Sequence, residues 1–132
     1  MKRNIFFKTI LMLVIFTGIM SCSKEIPEPI ACFEVSAETI KLGESVTFTS
    51  CSQADHTSIW TGDTGRDYTK RERTGETRYV ARDVGVRVAN GVFTYTYRNP
   101  GHYTIHWVAT NVGNDGRDVK TAVAQRVITV VE

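Results

Sequence analysis

Val92-Phe93-Thr94-Tyr95-Thr96-Tyr97-Arg98-Asn99-Pro100-Gly101-His102-Tyr103-Thr104-Ile105-His106-Trp107-Val108-Ala109-Thr110 is the stretch that decides how this chain folds. Two runs rich in aromatic and β-branched residues flank Arg98-Asn99-Pro100-Gly101. Alternation with a period of two fits a pleated, half-buried surface, and Pro100-Gly101 fits a turn. The stretch reads as a hairpin of Val92–Tyr97 and His102–Thr110. In its second arm Tyr103, Ile105, Trp107 and Ala109 share one face and are expected in the core. His102, Thr104, His106 and Thr110 share the other with Val108, and both histidines are expected to face solvent.

The same pattern extends outward in both directions. Nothing after Ile30 has helical periodicity. Ala31–Val35 and Ser45–Ser50 read as the first two strands and Thr57–Thr61 as the third. Ala122–Val131 closes the domain after a turn at Asn114-Asp115-Gly116. Short alternating runs broken by turn residues predict an all-β sandwich.

Several of these residues also carry a family resemblance. Gly43-Glu44-Ser45-Val46-Thr47-Phe48, Trp60 followed by Gly62-Asp63, Tyr97-Arg98-Asn99-Pro100-Gly101-His102-Tyr103, and Asn111 resemble a PKD domain, named after polycystic kidney disease proteins. The resemblance spans about residues 31–132. It implies an immunoglobulin-like antiparallel β-sandwich of about seven strands, with Trp60 in the core beside Trp107. The family pattern is Trp-x-Phe-Gly-Asp-Gly, whereas Trp60 here precedes Thr61-Gly62-Asp63-Thr64-Gly65. The role of that turn does not carry over directly.

The amino terminus has another character. Lys2, Arg3 and Lys8 precede Ile10–Met20, an apolar run about half the roughly 20 residues a transmembrane helix needs. Ile19-Met20-Ser21-Cys22 resembles the processing site of a bacterial lipoprotein signal peptide. The resemblance implies removal of residues 1–21 and lipidation at Cys22. Ser23 resembles lipoproteins sorted to the outer membrane. Cys22-Ser23-Lys24-Glu25 is similar to a short signal for surface display; alternatively Lys24 and Glu25 are solvated linker charges. Residues 22–30 then read as the attachment point and an extended linker, reaching about 25 Å at ~3.1 Å per residue.

Removal of the signal changes the charge balance. Three of the 16 basic residues and none of the 14 acidic ones lie in it, leaving 13 against 14. A nearly neutral domain gives no reason to expect nucleic-acid binding. Two cysteines remain beside Cys22. Cys32 and Cys51 both lie on the outer parity of their strands. If those strands are antiparallel neighbours, a disulfide is possible in an oxidising compartment; two free thiols are the alternative.

The residues offer little chemistry. No nucleophile motif surrounds any serine, so no catalytic residue is assigned. His102 and His106 lie about 13 Å apart on a strand, too far to share a metal ion. Asn114, Asp115 and Asp118 supply too few oxygens for calcium, which takes 6–8. No metal or cofactor is expected. The long connection 66–91 holds seven basic residues against four acidic ones. Arg66, Tyr68, Lys70, Arg71, Arg73, Arg78 and Tyr79 form a candidate contact loop, because Arg with Tyr is interface composition. A solvated hairpin shielding an edge strand is the other reading.

The functional expectation is a non-catalytic, lipid-anchored module at the outer membrane, mediating protein–protein contact. The alternative is a carbohydrate-binding accessory module of a surface glycan-uptake system.

Overall fold

The computed structural model describes residues 24–71 and 83–132. Among them are eight strands: β1 (Phe33–Val35), β2 (Thr39–Lys41), β3 (Ser45–Ser50), β4 (His56–Trp60), β5 (Val86–Arg87), β6 (Val92–Thr96), β7 (Gly101–Val112) and β8 (Val119–Val131). They form two sheets, in the orders β1-β3-β6 and β2-β8-β7-β4-β5. This is an all-β sandwich with an immunoglobulin-like strand order.

The expected hairpin is a corner instead. β6 pairs with β3, whereas β7 pairs with β4 and β8, so Arg98–Pro100 carries the chain from one sheet to the other. The aromatic residues explain the crossing. Tyr97 is buried and stacks on Tyr103 with ring centroids 4.1 Å apart. Its hydroxyl donates to the Thr61 carbonyl at 2.7 Å, and the Tyr103 hydroxyl donates to Asn99 four residues upstream. The second bond has the form of a tyrosine corner at the start of the strand. Both rings fill the space between sheets, which a hairpin within one sheet would not provide.

The core contains Phe33, Ile40, Val46, Phe48, Ile59, Val88, Tyr97, Ile105, Trp107, Ile128 and Val130. Phe33 stacks on Trp107 at 5.3 Å, joining the sheets. Ser52 secures this contact. Its hydroxyl accepts from Trp107 Nε1 and Cys32 N–H, both at 3.0 Å, and donates to the Cys32 carbonyl at 2.8 Å. Cys32 and Cys51 are joined by a disulfide with Cα atoms 4.8 Å apart, continuing the β1–β3 register that sets Phe33 opposite Ser50.

β2 is too short to show an alternation signal, whereas β5 falls within the alternating Val84, Val86 and Val88. β2 runs parallel to the end of β8, with Thr39 opposite Thr129. β5 adds two residues beside β4. Part of the supposed linker is docked. Ile30 pairs with Gln53, the Asn111 side chain donates to the Pro27 carbonyl at 2.9 Å, and Lys120 binds Glu28 at 2.6 Å.

Candidate functional site

The outer face of the five-stranded sheet is covered on one half and bare on the other. Register explains the covered half. Ile59 lies opposite Trp107 and Trp60 opposite His106. Directly opposed antiparallel residues share a face, so Ile59 takes the core position and Trp60 points outward. This corrects the placement of Trp60 in the core. It also corrects His106, which is only 6% exposed rather than solvent-facing.

Residues 62–71 and 83–85 bury that face. Gly62 N–H donates to the Arg66 carbonyl at 3.0 Å, closing a turn against β7. A Cβ on Gly62 would meet the Thr104 backbone oxygen at 2.7 Å, and φ there is +76°, so the approach requires glycine. Asp67 caps the following 3₁₀ turn Tyr68–Lys70 by accepting from Thr69 N–H and hydroxyl. These bonds hold the Asp67 carboxyl below its ordinary pKa. The cap aims Tyr68 inward. Tyr68 stacks on His106 at 4.6 Å and meets Trp60 edge-on at 5.2 Å. The Arg71 guanidinium lies 3.6 Å above the same ring, and its Nη1 donates to the Tyr68 carbonyl at 2.7 Å. Gly85 lies against Trp60 so closely that a Cβ would meet the indole at 2.6 Å.

The described part of the contact loop therefore does not display an Arg–Tyr patch. Tyr68 and Arg71 cover Trp60 and His106. Arg66 is half-buried, and Lys70 is exposed beside Asp67 at 3.7 Å. Arg73, Arg78 and Tyr79 lie outside the described residues, as does Cys22. Burial pushes the His106 pKa down and keeps the ring neutral near pH 7. His106 Nδ1 and Trp60 Nε1 have no hydrogen-bond partner among the described residues. The sequence held one signal for this lid: Val108 on the supposedly wet parity of β7, now seen to be 7% exposed.

Beyond the lid the face opens into a groove of ≈480 Å³ lined by Asp67, Thr69, His102, Thr104, His106 and Gln125. Past the groove, Val119, Val123 and Val127 stand exposed along β8. No exposed large apolar residue among those described is aromatic. Among the described residues no cluster of three His, Cys, Asp or Glu is placed to hold a metal, and no helix is long and apolar enough to cross a membrane. The Asn114–Gly116 turn closes on itself, with Asp115 Oδ1 accepting from Arg117 N–H at 3.1 Å. Asp63 serves the fold by accepting from the Tyr95 hydroxyl of the opposite sheet at 2.8 Å.

No protein-family model matches the sequence, and no curated protein does. One solved structure is described as showing the structural basis for the promiscuous specificity of carbohydrate-binding modules from the β-sandwich superfamily. It aligns over 82% of this chain, with a TM-score of 0.57 and 21% identity, and this chain spans 36% of its length. The PKD1 domain of Epp from Vibrio anguillarum aligns over 81% of this chain and 98% of its own, at 16% identity and a TM-score of 0.49. The likeness to the first structure is one of fold, and the fold is an immunoglobulin-like β-sandwich.

Proposed function

We propose that this protein is a non-catalytic binding and assembly module, held at the outer membrane by a lipid on Cys22, and that its ligand is another polypeptide. The observation that carries the reading is the bare half of the sheet. Three valines of one strand stand 40–54% exposed on a face where the other half is roofed. Alternating with Thr121 and Gln125 and carrying no charge, they leave this half of the face open to a protein surface. Sugar recognition favours exposed aromatic platforms, and the described residues present none.

The polar groove gives the glycan reading its support. Asp67, Thr69, His102, Thr104 and Gln125 offer both donors and acceptors. The likeness to a carbohydrate-binding module points the same way. On this alternative the protein serves a surface glycan-uptake system.

Cross-linking on intact cells with a membrane-impermeant amine reagent separates the two. A reproducible protein adduct through an exposed lysine such as Lys70 supports the assembly role. A surface-labelled chain with no protein adduct, combined with glycan-dependent chemical shifts at His102 or Gln125, supports the second.

A further inference from the structure

We infer that the polypeptide partner of the bare half of the sheet is a second copy of this chain, which extends that half by pairing antiparallel with the edge of β8 about a two-fold axis at Val123. The inference rests on the protein-binding reading above and names its partner.

β2 covers only the far end of β8, at Thr129–Val131. There the Thr129 N–H donates to the Glu38 carbonyl on the edge side, while the Asp118 carbonyl accepts from Gly113 on the β7 side. Backbone direction alternates along a strand. The N–H and C=O groups of Val119, Thr121, Val123, Gln125 and Val127 therefore all point to the edge. Among the described residues none of these groups has a backbone partner there.

Sheets guard such edges with charge. Here the charged side chains Lys120 and Arg126 sit on the inner parity, bound to Glu28 at 2.6 Å and Glu38 at 3.2 Å. The outer row carries no charge and reads Val-Thr-Val-Gln-Val from 119 to 127. That order is symmetric in polarity about Val123. Pairing Val123 with its own counterpart sets Val119 against Val127 and Thr121 against Gln125. A shift of two residues either way sets valines against Gln125 or Thr121. On the inner parity Lys120 falls opposite Arg126 of the other copy, and the ion pairs each already makes, with Glu28 and Glu38, offset the repulsion between these like charges.

The five residue pairs exchange about ten backbone hydrogen bonds. Nine residues at ~3.4 Å make an interface about 30 Å long and, at sheet thickness, ~10 Å deep. That is roughly 300 Å² per copy, below the ~800 Å² of a stable complex. The dimer is reversible and forms as concentration rises.

The test co-expresses two differently tagged copies of the full chain and captures one tag. Unaltered copies should co-purify. Val123→Lys paired with itself, and Val123→Glu paired with itself, should lose the second tag, because like charges meet at the axis. Val123→Lys with Val123→Glu should restore it, which also shows that both variants fold. Capture that persists in either like-charged pair overturns the edge, and loss without rescue overturns the register. Failure of unaltered copies to co-purify overturns self-pairing alone. The protein-partner reading then stands or falls on whether cell cross-linking finds a different polypeptide.

Discussion

Replacing Tyr68 with alanine removes the keystone of the lid, and three consequences follow from one ring. Tyr68 touches His106, Trp60 and the Arg71 guanidinium at once. Truncating a fully buried aromatic costs about 3–5 kcal/mol. Tyr68 is half-buried, and lies over a sheet rather than inside it, so the expected loss is about 1.5–3 kcal/mol. Urea unfolding followed by far-ultraviolet circular dichroism measures it. Acrylamide quenching tests the geometry independently. Trp107 is fully buried between the sheets, away from the lid, so added quenching is expected to report Trp60. Histidine NMR supplies the third readout: the His106 pKa should rise toward its ordinary value once the ring regains water. Loss of stability with unchanged quenching and unchanged His106 titration would mean that Tyr68 does not cover these groups.

Three further outcomes are expected. Ser52→Ala should cost about 2–4 kcal/mol by denaturant unfolding, because Trp107 Nε1 and Cys32 N–H both lose their acceptor; Ser52→Thr, which keeps a hydroxyl, should recover much of this. The folded-state pKa of His106 is lowered, so the unfolded chain binds more protons, and stability should be full above about pH 6.5 and decline as pH falls from there. The wild-type minus His106→Asn difference in melting temperature should shrink or change sign across that range, and a flat difference contradicts the burial argument. Cys51→Ala opens a loop with a sequence separation of 19 and should lower stability by about 3 kcal/mol, read as a matching loss when the wild type is reduced.

The strands legible in the sequence are those that bury one face and wet the other. Ser45–Ser50 was bounded by its alternation, and Tyr103, Ile105, Trp107 and Ala109 lie on the core side of β7 as their parity required. Periodicity fails where both faces are dry. In Ser58-Ile59-Trp60 two adjacent apolar residues leave the inward one undetermined, and only pairing with β7 resolves it in favour of Ile59. The lid was illegible for a related reason. Asp67, Tyr68 and Arg71 look like a solvated charged loop until the cap turns the ring inward. The corner between β6 and β7 escaped because Pro100-Gly101 suits a hairpin and a sheet-to-sheet crossing equally. Which applies depends on what Tyr97 and Tyr103 pack against, and those partners are distant in sequence.

If the proposed lipid on Cys22 and the proposed self-pairing both hold, together they constrain orientation. The docked strap begins at Ile26, whose Cδ1 lies 3.1 Å from where a Cβ on Gly113 would stand. Four residue steps separate it from Cys22, roughly 13 Å at ~3.3 Å each, about half the reach of a tether running to residue 30. Two copies anchored in one bilayer must share it symmetrically, so their two-fold axis lies along the membrane normal. The axis through Val123 is perpendicular to the sheet. The sheet must then lie parallel to the bilayer, with both ends of β8 at similar height. A monomer hanging from its strap has no such constraint and can stand upright. Residues 119–131 span roughly 40 Å at ~3.3 Å each, which separates the two arrangements by energy transfer to a lipid-borne acceptor. Donors at Asn114→Cys and Leu42→Cys, at opposite ends of β8, should transfer with similar efficiency at high surface density. Adding Val123→Lys should make the two efficiencies diverge. Strongly unequal transfer in the unaltered pair at every density would rule out a flat dimer, because a shared two-fold axis cannot leave one end of the strand far above the other.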